Sequence, residues 1–167
     1  AEERFRLTQQ VSGLTHRHVR SVIACFLCLE FAGYIISGMD KAEAYASLRN
    51  EMPAMLESFG ISPEEIRHFD RILRRNIFNL PHEQIASDGY VIHTLEAALW
   101  CIMRTGSYQR AVLKAVNLGR DTDTTAAVTG GLAGVLYGCD TIPEQWLEAL
   151  ARRKDIENLA ERLKLKY

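Results

Sequence analysis

Asn117-Leu118-Gly119-Arg120-Asp121-Thr122-Asp123-Thr124-Thr125 runs directly into Ala126-Ala127-Val128-Thr129-Gly130-Gly131-Leu132-Ala133-Gly134-Val135-Leu136-Tyr137-Gly138. The first nine residues carry two carboxylates two positions apart, among threonines and behind a glycine, which marks a loop turning into a helix. Past that turn Ala126, Gly130, Gly134 and Gly138 recur at every fourth position, on one face of a helix. Each interior glycine costs a helix about 0.5–1 kcal/mol relative to alanine. The row predicts a helix packed backbone-close along that face, holding an acidic start rigidly at its head.

Outward from this segment the pattern stays helical. Val19 to Ile36 is apolar on nearly every face, interrupted by Arg20 and Glu30, which predicts a buried helix closed by Ser37-Gly38. Asp40 can cap a helix running to about Phe59, with Gly60 as its stop. Ser62-Pro63-Glu64-Glu65 predicts another start, with proline at the first helical position. Residues 75 to 89 read as a connector, holding Asn76, Asn79, Pro81, Asp88 and Gly89. Ile92, Leu95, Leu99 and Ile102 then recur at helical spacing. Ser107 caps a helix broken at Gly119, Pro143 opens a short one around Trp146, and residues 155 to 166 alternate charge along a solvated face. With no strand pattern, repeat or low-complexity linker, the expected fold is all-α, a single domain over residues 1–167.

Charge excludes some partners. The 20 Lys and Arg balance 21 Asp and Glu, leaving no general field toward nucleic acid or an anionic membrane surface. Cys25, Cys28, Cys101 and Cys139 sit among apolar or small neighbours and predict reduced, core-packed thiols in a cytoplasmic protein. The Cys25-x-x-Cys28 spacing lies inside the apolar helix without a basic flank, so a small-hydrophobe role is expected there. Glu30 and Glu96 fall in apolar helices, where carboxylates are partly exposed or paired with arginine. His68, His82 and His93 are too scattered to form a metal site by spacing.

The acidic turn has two readings. Asp121 and Asp123 can complement the dipole of the helix and cap it. They can also converge with Thr124 on one point, because backbone at the turn has not yet settled into helical spacing. Carboxylate and hydroxyl oxygens are the ligands magnesium prefers, and one segment rarely supplies more than one or two carboxylates.

Gly119 to Ala127, with Gly130, Ala133-Gly134, Tyr137-Gly138 and Ile142-Pro143-x-x-Trp146, resembles the signature of the ADP-ribosylglycohydrolase family. Gly89-Tyr90-Val91-x-x-Thr94-Leu95-Glu96-Ala97-Ala98-Leu99-Trp100 resembles its penultimate block, and Ser12-Gly13-Leu14-Thr15-His16 a mid-chain segment. The resemblance implies a compact orthogonal bundle of helices with a two-magnesium or manganese centre. It implies hydrolysis of the glycosidic bond between ADP-ribose and an acceptor. Asp121 and Asp123 would be catalytic; Asp121, Asp123 and Thr124 would ligate metal; His16, Gly89 and Tyr90 would line the ADP-ribose cleft. Two features depart from the family. Arg120 stands where glycine is usual, and the family's Thr-Asp-Asp metal segment is missing from this sequence. The chain therefore resembles the carboxyl-terminal half, with the amino-terminal half as a further partner. A relative that binds ADP-ribose without turnover is the alternative, and a metal-independent helical interaction domain a third.

Overall fold

The computed structural model describes residues 1–166. Among these, ten α-helices and three 3-10 turns are present and no strand, so the all-α expectation holds. The helices are α1 (Glu2–Ser12), α2 (Val19–Ile36), α3 (Lys41–Ser58), α4 (Pro63–Arg67), α5 (Asp70–Leu73), α6 (Val91–Met103), α7 (Tyr108–Val116), α8 (Thr122–Tyr137), α9 (Glu144–Ala149) and α10 (Arg153–Lys166). The 3-10 turns lie at Ile77–Asn79, His82–Gln84 and Cys139–Thr141.

Local chemistry sets most boundaries. Asp40 accepts the N–H groups of Ala42 and Glu43 while Glu43 reaches back to the Asp40 N–H, a capping box at the head of α3. Ser62 and Ser107 accept from Glu65 and Arg110 and start α4 and α7. His18 caps α2 by accepting the Arg20 N–H at 3.2 Å. Gly38, Gly60 and Gly138 take positive φ at helix ends, where a β-carbon would be strained.

α6 is the central helix, with ten of its residues buried. α8 packs across α6 and α7 and touches α2, which in turn rests on α1, α3 and α6. At the other end Phe5 of α1 meets Phe26 edge-on at 5.1 Å and stacks on Phe59 at 4.8 Å. The sequence carries little sign of α1, because only Phe5 and Thr8 of its residues are buried. Two buried carboxylates are held by forked arginine pairs: Arg4 grips Glu30 at 2.6 and 2.8 Å, and Arg71 grips Glu96 at 2.7 and 2.8 Å. α2 is long and apolar enough to match a membrane span by length and composition. Seven of its residues, Glu30 among them, are buried in the protein.

Two expectations change. α2 is not buried all round: Cys25 and Leu29 are exposed on the side where no helix covers it. The thiols are accordingly mixed, with Cys25 and Cys139 exposed, Cys28 half-buried and Cys101 buried. Burial pushes the Cys101 thiol up to about 12, and burial beside Cys25 pushes Cys28 up to about 11. That is opposite to the depressed values of redox-active thiols. Nor is the glycine row of α8 close-packed along its length. A methyl group on Gly130 would come 3.3 Å from the Tyr108 hydroxyl, but at Gly131 or Gly134 it would meet nothing within 4 Å. α8 makes its core contacts through Thr125, Thr129, Leu132 and Ala133 instead.

Two stability outcomes are expected in chemical denaturation. Arg71→Ala strands the Glu96 carboxylate and should cost about 3–5 kcal/mol, whereas the double change Arg71→Met with Glu96→Leu should recover most of that loss. Gly134→Ala gains helix propensity without meeting a neighbour and should stabilise by about 0.5–1 kcal/mol.

Candidate functional site

The acidic turn is shaped by two consecutive left-handed residues, Gly119 at φ 79° and Arg120 at φ 59°. For arginine this conformation costs roughly 1–2 kcal/mol, a penalty glycine escapes. The reversal delivers Asp121 as the N-cap of α8. Its carbonyl accepts the Thr125 N–H at 3.2 Å and the Thr125 hydroxyl at 2.9 Å, but its carboxylate makes no capping bond. The simple cap reading therefore fails for Asp121.

The carboxylate lies instead against Gly89, which has φ 79° and where any β-carbon would collide with Asp121 Oδ2. The backbone angle favours glycine there, and a side chain would also have to push the Asp121 carboxylate aside. A second tie holds the two loops together. The Asp121 N–H donates to the Ser87 carbonyl at 2.9 Å, and the buried Ser87 hydroxyl donates to the Gly119 carbonyl at 3.0 Å.

A cavity of about 1280 Å³ opens beside this junction. Asp121, Thr124, His16, Gly89 and Tyr90 all line it, so residues from three distant stretches meet there. Asp123 does not line it; it sits exposed in the first turn of α8. Its carboxyl is held below the usual range, first by hydrogen bonding with Asp121 and then by the Thr124 N–H and its own. Two neighbouring carboxylates that both carry charge repel, and a bound cation relieves that repulsion. His16 is exposed, with Nδ1 3.0 Å from the Thr15 hydroxyl. Arg120 points elsewhere, into a separate pocket with Glu83 and Ser87.

The donors at this turn are hard oxygens, which suit magnesium or manganese. Among the described residues, no group of three or more His, Cys, Asp or Glu side chains could hold a metal ion. The turn thus fits one side of a metal site and not a complete cage. Much of the remaining cavity wall is apolar and open, with Val11 67% and Leu29 55% exposed.

Sequence reasoning missed the residues that make the connector rigid. Side chains catch its carbonyls one after another: Tyr45 takes that of Arg75 at 3.0 Å, Arg104 that of Phe78 at 2.7 Å, Trp100 that of Leu80 at 3.0 Å and Arg71 that of Gln84 at 2.7 Å. Asp88 accepts the Tyr90 N–H at 3.2 Å and pairs with His93 at 2.8 Å. Its carboxyl is lowered mainly by that histidine. A Ser and an Asp just before Gly-Tyr carry only a generic turn signal, since the Ser87 hydroxyl's partner lies 32 residues away and the Asp88 bond to the Tyr90 N–H is an ordinary local turn contact.

The model of the ADP-ribosylglycohydrolase family matches residues 1–167. The chain is 35% identical over 159 residues to ADP-ribosylarginine hydrolase Tri1 of Serratia proteamaculans, covering 95% of this chain and 40% of that protein. It is 27% identical over 144 residues to the ADP-ribosyl-(dinitrogen reductase) glycohydrolase of Rhodospirillum rubrum, covering 86% and 42%. A solved ADP-ribosylglycohydrolase-related protein complex superposes with a TM-score of 0.75 at 31% identity, covering 93% of this chain and 50% of the other. The chain thus spans half or less of the length of these relatives. Such coverage leaves the expectation of a carboxyl-terminal half resting on motif order alone. Matched from its first residue to its last, the chain belongs to the ADP-ribosylglycohydrolase family.

Proposed function

We propose that this chain supplies one wall of a divalent-metal-dependent site that hydrolyses the glycosidic bond between ADP-ribose and an acceptor. The observation that carries this is Asp121. It stands at a helix start without capping it, its carboxylate pressed onto Gly89 and facing a cavity shared with Thr124, His16 and Tyr90. The names of the relatives, which act on ADP-ribosylarginine or ADP-ribosyl-dinitrogen reductase, support ADP-ribosylated substrates as the class.

In this reading Asp121, Asp123 and Thr124 hold magnesium, with manganese as the substitute, and acidic ligands from outside this chain complete the centre. The metal, when bound, would stabilise developing negative charge and lower the pKa of a bound water. The chain's own contribution is orientation: Gly89 leaves room for the Asp121 carboxylate, and Tyr90 offers an aromatic face to a base or ribose. The free cysteines agree with the cytoplasmic setting we propose. A second reading, an ADP-ribose binder without turnover, draws on the absence of a three-ligand cluster among the described residues.

Calorimetric titration of magnesium and ADP-ribose tests the proposal. Heat of binding is expected, and both Asp121→Asn and Asp123→Asn should weaken metal binding by more than the roughly 10- to 100-fold typical of outer-shell partners. Neither change should move stability by more than about 1 kcal/mol, the scale of an exposed helix-dipole contact. If no heat appears with this chain or with a full-length relative's remaining segment added, the proposal fails. Where binding occurs, release of ADP-ribose from ADP-ribosylarginine separates the enzyme from the silent binder.

A further inference from the structure

Tyr90 is 40% exposed at the N-cap of α6, a position where an aromatic ring would ordinarily move between rotamers. Here it is held on three sides. Its backbone N–H donates to Asp88, which also pins His93. The His93 ring meets the Tyr90 ring edge-on, with centroids 5.1 Å apart and planes at 84°. The Tyr90 hydroxyl accepts from Arg20 Nη1 at 3.3 Å.

Arg20 is itself fixed. Its Nε and Nη2 donate to the two Glu65 oxygens at 2.7 and 3.1 Å, and Nη2 also lies 2.8 Å from His68 Nε2. This forked grip sets the guanidinium plane and leaves Nη1 for Tyr90. Arg20 and Tyr90 line the large cavity, whereas Glu65 and His68 do not. The pair is part-exposed, 28% for Arg20 and 25% for Glu65, and such pairs add little to stability. Consistent with the grip, the Glu65 carboxyl is held below its usual range chiefly by the Arg20 hydrogen bond.

We infer that the Arg20–Glu65 pair is a positioning device, carried by α2 and α4, that fixes the Tyr90 ring at the cavity wall before an ADP-ribose-type ligand arrives. The clamp rests on the function proposed above for its ligand, and on this structure alone for its geometry. Arg20 acts through Tyr90, and Glu65 acts through Arg20. A pre-fixed ring loses less freedom on binding, which for one side chain is worth about a two- to tenfold gain in affinity.

The test places 3-fluorotyrosine at position 90 and reads its fluorine resonance in the whole chain without ligand. Arg20→Gln and Glu65→Gln should each move the signal toward that of a solvent-exposed fluorotyrosine, with circular dichroism unchanged; Arg20→Lys, which cannot fork, should fall between. Titration with ADP-ribose and magnesium should show affinity lowered about two- to tenfold in each single variant, and no further in the double variant. An unmoved fluorine signal in folded Glu65→Gln, or losses that simply add in the double variant, overturns the clamp. Should the wild-type chain bind no ADP-ribose, alone or with a full-length relative's remaining segment added, the proposed function falls, and the fluorine signal still decides the clamp. If Arg20→Gln does not fold, Glu65→Gln decides the matter alone, because Glu65 lies outside the cavity.

Discussion

A single backbone hydrogen bond, from the Asp121 N–H to the Ser87 carbonyl, joins the two loops on which the candidate site is built. The Asp121 end of the cavity depends on that junction. Without it the Asp121 carboxylate has no reason to lie on Gly89, because the helix it heads does not use the side chain as a cap. The Ser87 hydroxyl reinforces the junction by holding the Gly119 carbonyl. In this way an irregular connector and a strained turn brace each other, and neither relies on a sheet or a disulfide.

The connector is rigid for an unusual reason. Residues 75 to 89 make few backbone hydrogen bonds of their own, yet Tyr45, Arg71, Trp100 and Arg104 hold their carbonyls from α3, α5, α6 and the end of α6. The bonds from Tyr45 and Trp100 are part-buried, where a carbonyl needs a partner, and those from Arg71 and Arg104 lie at the surface; together they act as scaffolding. Trp100 is in turn flanked by Lys114 at 4.3 Å and Arg104 at 5.4 Å from its ring. The packing of α6 therefore extends outward into the loop that presents Gly89 and Tyr90.

Much of this is legible in the sequence where the chemistry is local. The start and end of α2, the capped start of α3 at Asp40 and the breaks at Gly60 and Gly138 follow from caps and glycines a few residues apart. The acidic turn can be recognised, and so can the block holding Gly89 and Tyr90. What cannot be read is pairing at a distance. Arg20 looks like an interruption in an apolar helix until the fold brings Glu65 and Tyr90 beside it. The open side of α2, with Cys25 and Leu29 exposed, is hidden because continuous apolar sequence reads as burial on all faces. Glycine spacing misleads in a similar way: it specifies which residues share a face, and not whether anything covers that face.

The two uncovered glycines of α8 also mark where that helix opens most cheaply. Its first turns are tied by Ser87, by the Thr125 and Thr129 hydroxyls bonding back to the carbonyls four residues earlier, and by packing on α6 and α7. Its later turns carry Gly131 and Gly134 with open space on their face, while the opposite face stays tied through buried Leu132 and Ala133 and the Tyr137 hydroxyl, which donates to the Thr105 carbonyl at 3.0 Å. Amide exchange within α8 should therefore be quicker around Gly131 and Gly134 than around Thr125 and Thr129, so that local fluctuations of the helix are absorbed well away from Asp121.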